Sequence, residues 1–247
     1  MKLPTKDIEI PANFARQLLT PLLVLALSSS VLAQDENPEG PERWEKSITA
    51  FEARDTQSPP PDDVLLFVGS SSIRMWDLKK SWPKTNSLNN GFGGSTLADS
   101  IYYFDRLIAL YDPSAIMIYA GDNDIAGKKG IVKGLSAKET AADFEKLANL
   151  IEEKFPEVPV IYIAIKPSKK RWDMWPTMEK ANKLIAKRCK KDPQLYFADI
   201  AAPMLEGAEG APGDDWFIED GLHLSASGYT GWTEVINASL REAGVID

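Results

Sequence analysis

Four short apolar runs and one weaker strand-like segment, alternating from the second onward with segments of helical spacing, constrain this chain more than any other feature. Val64-Leu65-Leu66-Phe67-Val68 is unbroken and of strand length, as suits a strand covered on both faces of a parallel sheet. Ala115–Tyr119, Val160–Ile165 and Leu195–Ala198 repeat it, and Ser87–Phe92 is a weaker version. Between them the spacing predicts helices from about Thr96 to Leu110, Ser136 to Phe155 and Met178 to Cys189, with a last one from Ser227 to Ala243. Ser136 with Glu139 three residues on is a capping box. Strands alternating with helices imply right-handed crossovers and a three-layer α/β/α fold around a central, mostly parallel five-stranded sheet. In open sheets of this kind, ligands bind beyond the carboxyl ends of the strands.

The segments ahead of the sheet read differently. Lys2, Lys6 and Arg16 precede an apolar run from Leu18 to Leu32 that closes on Val31-Leu32-Ala33. That is the pattern of an export signal over residues 1–33, and the run is short for a membrane span. Residues 34–62 form an N-terminal extension: a polar start, then helical spacing from Trp44 to Arg54 with Trp44, Ile48 and Phe51 on one face. Ser58-Pro59-Pro60-Pro61 stops regular structure before the first strand.

The full chain carries 28 Lys+Arg against 36 Asp+Glu, a net charge of −8. The leader holds three of those bases and two of those acids, so its removal leaves 25 against 34, or −9. Such acidity disfavours nucleic acid or an anionic membrane surface as partner. Cys189 is alone, which precludes an internal disulfide, and reads as a half-buried structural thiol. One cysteine and one histidine also rule out the usual zinc ligand sets.

His223, the single histidine, lies in Glu219-Asp220-Gly221-Leu222-His223. Asp220 is close enough to reach the near ring nitrogen and fix its tautomer; a histidine capping the next helix would give the same pattern. The segments following the strands supply possible companions. Gly69-Ser70-Ser71-Ser72 places hydroxyls where strand turns to helix, although serine also serves there as an ordinary N-cap. Asn89-Asn90-Gly91-Phe92-Gly93-Gly94 lets backbone approach a ligand, or simply makes a turn. Gly121-Asp122-Asn123-Asp124 offers a side-chain amide donor, or an Asx-turn.

Taken together and in this order, these motifs resemble the SGNH, or GDSL-like, hydrolase family over about Val64 to Trp232. The resemblance makes residues 63–247 the hydrolase domain, with a flavodoxin-like sheet. It implies Ser71 as nucleophile, Asp220 and His223 as its partners, and Ser71, Gly94 and Asn123 as oxyanion donors. Ser70 stands where the family usually has aspartate, which leaves Ser70 and Ser72 as weaker candidates for the attacking hydroxyl. The implied activity is an exported serine esterase without metal or cofactor, acting on a small-molecule or carbohydrate ester and not inserted in a membrane after signal cleavage. Lys166-Pro167-Ser168-Lys169-Lys170-Arg171-Trp172-Asp173-Met174-Trp175 should overhang the site. In it Trp172 or Trp175 could stack on a sugar or aryl group and Lys166 or Arg171 could hold an anionic substituent; the alternative is a solvated basic loop anchored by its tryptophans. No long apolar lid is apparent, which points to short acyl chains such as acetyl.

Overall fold

In the computed structural model, which describes residues 40–127 and 133–247, the apolar runs form β1 (Val64–Gly69), β2 (Ser87–Gly91), β3 (Pro113–Tyr119), β4 (Val160–Ile163) and β5 (Leu195–Ala198). They pair in parallel in the order β2-β1-β3-β4-β5. Successive side chains along a strand point to opposite faces, so each strand feeds two cores. Leu66, Val68, Ile116, Ile118 and Tyr162 pack beneath helices Ala137–Lys154 and Trp175–Cys189. Leu65, Phe67, Met117, Tyr119 and Ile161 pack on the other side with Trp76, Trp82 and Trp232, the last from helix Ala226–Glu242. Each fully buried Leu or Ile contributes about 1.5–3 kcal/mol, which makes these two layers the main source of stability.

Helix boundaries follow local chemistry. Ser136 Oγ accepts from the Glu139 amide and Glu139 returns the bond to the Ser136 amide. Thr96 and Asp99 make the same reciprocal cap after β2. The helix expected to run from there to Leu110 instead breaks at Tyr103 into Leu97–Tyr102 and Phe104–Leu107. The break lets the Tyr103 ring bury against the N-terminal segment, its hydroxyl 3.1 Å from Glu45 Oε2.

That segment packs on the sheet domain as part of its core. Helix Glu45–Gln57 inserts Ile48, wholly buried, and lays Phe51 against the same cluster. Arg106 bridges Glu45 and Glu52, and Arg43 reaches Asp99. Cys189 is buried more deeply than expected, and burial pushes its thiol up to about 12. Among the described residues no helix is long and apolar enough to cross a membrane; the leader 1–33 lies outside them.

Candidate active site

The turn after β1 is possible only with glycine. Gly69 has φ +142°, and a Cβ there would lie 1.9 Å from the Tyr119 carbonyl oxygen. The chain then enters the short helix Ser71–Arg74 through an extended Ser70. Ser70 and Ser72 are wholly buried, and Ser72 Oγ accepts from Lys166 Nζ. Ser71 alone of the three faces outward, with Oγ 3.0 Å from His223 Nε2.

His223 is held by its own loop. Phe217 and Leu224 form an antiparallel bridge, the Ile218 amide donates to the His223 carbonyl, and the Gly221 amide donates to the Ile218 carbonyl. Inside this loop Asp220 Oδ1 accepts from the Leu222 and His223 amides, and Oδ2 lies 2.5 Å from His223 Nδ1. Burial pulls the Asp220 carboxyl up, but the ring and the two amides outweigh it and bring it down to about 2. An ionised carboxylate on Nδ1 keeps the ring proton there and leaves the Nε2 lone pair for the Ser71 hydroxyl.

Gly94 and Asn123 line the same pocket as Ser71 and His223. Gly94 turns with φ +87°, and a Cβ there would be 3.2 Å from Trp44 Cη2. Asn123 is the second residue of the helix Asp122–Ala126 after β3. Its Oδ1 accepts from Arg171 Nη2 at 2.9 Å and its Nδ2 donates to the Ser95 carbonyl at 3.0 Å. The guanidinium therefore fixes which end of the amide is oxygen and leaves the second Nδ2 hydrogen for a ligand. Ser71, Gly94, Asn123 and His223 line one pocket of about 510 Å³, walled also by Trp44, Arg74 and Arg171.

Part of the expected substrate contact set must be corrected. Lys166 is 1% exposed, and its ammonium donates to Tyr119 Oη at 2.8 Å, Asp122 Oδ2 at 3.1 Å and Ser72 Oγ at 3.2 Å. It is a buried strut, because a buried carboxylate is there to receive it. Burial alone would raise Asp122; Lys166 and Arg171 more than offset this and hold it below its ordinary value. Arg171 does line the pocket, but its guanidinium is committed to Asn123 and to Asp122, 3.1 Å away. Trp172 and Trp175 stack on each other, ring centroids 6.3 Å apart, and Trp175 packs on the core; neither lines the pocket. Three residues that do, Trp44, Ser47 and Arg74, were not singled out as contacts. Trp44 lay in the apolar stripe of the first helix, and Arg74 lies one helical turn beyond Ser71. Asp124, the other acid of the motif, is buried with Oδ1 accepting from the Leu97 amide, and burial pushes it up to about 7.

The sequence pattern of the GDSL-like Lipase/Acylhydrolase family matches residues 47–230, well over half the chain. The chain belongs to this family. Among similar proteins, the alpha2 subunit of platelet-activating factor acetylhydrolase IB from Homo sapiens is 24% identical over 210 residues, covering 78% of this chain and 82% of that protein. A GDSL-like lipase from Bacteroides thetaiotaomicron superposes with a TM-score of 0.66 at 18% identity, over 79% of this chain and 98% of the other. An acetylxylan esterase from Geobacillus stearothermophilus, solved as a catalytic mutant, gives 0.58 at 17% identity, over 75% and 96%. At these identities the structural likeness speaks for the shared fold, the three-layer arrangement with its five-stranded sheet.

Proposed function

We propose that this family member is an exported serine esterase that removes short acyl groups, with O-acetyl groups on carbohydrate as the favoured substrate. The observation that carries the reading is the continuous line Asp220 Oδ2–His223 Nδ1 at 2.5 Å and His223 Nε2–Ser71 Oγ at 3.0 Å. As Ser71 Oγ adds to the ester carbonyl, His223 Nε2 takes its proton, and ionised Asp220 stabilises the resulting imidazolium. The oxyanion is met by the amides of Ser71 and Gly94 and by Asn123 Nδ2, each such donor contributing about 10²–10³ in turnover. Collapse expels the alcohol, which leaves with the proton from His223; water then adds to the acyl-enzyme by the same route and releases the acid.

A short acyl group suits a pocket walled mainly by a tryptophan and two arginines, with Leu222 its one aliphatic side chain. Two of the similar proteins are named for acetyl removal, from platelet-activating factor and from xylan. The leader over residues 1–33 supports export.

The test uses 4-nitrophenyl acetate with and without an alcohol acceptor, on the wild type and Ser71→Ala. Acetate release should fall by about four orders of magnitude or more in the variant, and a phosphonate ester probe should label Ser71. Product made only when the alcohol is present would replace hydrolysis by acyl transfer. Failure of the wild type to become acylated would indicate a binding protein, and a label on any other side chain would remove Ser71 from its role.

A further inference from the structure

The pocket's charge is lopsided. Its lining includes two arginines and no carboxylate, in a protein with 36 acidic against 28 basic side chains. The two guanidiniums differ in what they already hold. Arg171 is neutralised from beneath by Asp122 and spends a second nitrogen on Asn123. Arg74 is exposed and, of the seven arginines among the described residues, is the one with no hydrogen bond or ion pair to an acceptor. Its place is nevertheless defined. A Cβ on Gly93 would stand 2.7 Å from Arg74 Nε and 3.3 Å from Cζ. The guanidinium therefore lies against the Gly93 backbone, next to the Gly94 oxyanion turn, and the missing side chain at Gly93 is what gives it room.

Resting on the esterase reading above, we propose that Arg74 is the anchor for an anionic group on the substrate: the enzyme takes acyl esters whose acceptor carries a carboxylate or a phosphate. A planar fork of N–H donors on a fixed backbone suits either oxyanion. A carboxylate entering this pocket meets an unpaired cation and no acid in the lining, the nearby Asp220 being engaged by the His223 ring and two amides. The indole of Trp44, on the far side of the Gly93–Gly94 turn, offers an apolar face to the ring or chain that bears the anion.

Three acetyl esters of similar size separate the possibilities: 4-acetoxybenzoate, 4-acetoxyphenyl phosphate and the neutral methyl 4-acetoxybenzoate. The quantity read is the ratio of kcat/KM for each anionic ester to that for the neutral one. In the wild type at least one ratio should exceed one, and which is larger names the anion. Arg74→Gln should lower that ratio about tenfold, the size expected for losing one charge-assisted hydrogen bond, with Arg74→Lys in between. Raising the salt should shrink the wild-type preference. Both rates come from one preparation, so partial unfolding of a variant cancels from the ratio. Hydrolysis of all three esters with a ratio that Arg74→Gln leaves unchanged overturns the anion anchor alone. A wild type that hydrolyses none of them overturns the esterase reading, and the anchor with it.

Discussion

Two loops meet above the strand ends, residues 166–175 after β4 and residues 216–225 ahead of the last helix, tied where the Lys170 amide donates to the Gly221 carbonyl at 3.0 Å. Both are rich in charged and aromatic residues, yet Lys166 of the earlier loop and the Asp220–His223 pair of the later one point in opposite directions. The later loop turns its ionisable groups outward: the side chains of His223 and Asp220 keep 23% and 43% of their exposure. The earlier loop turns its first lysine inward until 1% remains. The difference lies in what waits below. Asp220 is satisfied inside its own turn, by two amides and a ring three residues away. Lys166 finds Asp122, an acid 44 positions distant that needs a counter-charge because it too is buried. Here the pair closed within a single turn stays at the pocket, and the pair closed across 44 positions is buried beneath it.

Substitutions on either side should break or sharpen that contrast. The largest effect is expected from His223→Ala. Turnover of a chromogenic acetate should fall by about four orders of magnitude or more, while the thermal midpoint stays within the small range usual for partly exposed positions. An appreciable loss of stability would mean that the outward loop also bears load. Next comes Lys166→Met, with the opposite signature. Leaving Asp122 buried without its ammonium should cost about 3–5 kcal/mol in urea unfolding, and adding Asp122→Asn should recover part of it. The smallest of the three is Arg171→Met, at the seam. Without the guanidinium, Asn123 loses the contact that sets its amide orientation. The expected result is a roughly tenfold lower kcat with little change in KM, about the worth of one hydrogen bond to a charged group. A change confined to KM would instead make Arg171 a direct substrate contact.

The same distinction explains what was legible in the sequence. The strands announced themselves because β1 and β3 are buried on both faces, and the capping box at Ser136 gave its helix a start that the structure keeps. Ser71, Gly94, Asn123 and His223 could be picked out because each follows a strand or sits in a short self-contained motif, and the fold brings all four to one pocket. Lys166 could not be read correctly, since burial depends on an acid contributed by another strand end and leaves no local trace. Trp44 does pack against the core with Ile48 and Phe51, as its apolar stripe implied, and what the stripe left unmarked is that the same ring also walls the pocket. The break at Tyr103 also has a remote cause, the N-terminal helix that its ring packs beneath.

The hydroxyl and the imidazole that meet in the pocket stand 152 positions apart in the chain, and the indole opposite them comes from the segment before β1. On the ribosome, the wall and the serine are therefore made before the ring. A nascent chain stalled at the fifth strand would hold Ser71 without the imidazole that meets it in the folded protein. Under the esterase reading proposed above, the pair that would act on an ester is completed only after the fifth strand has been made.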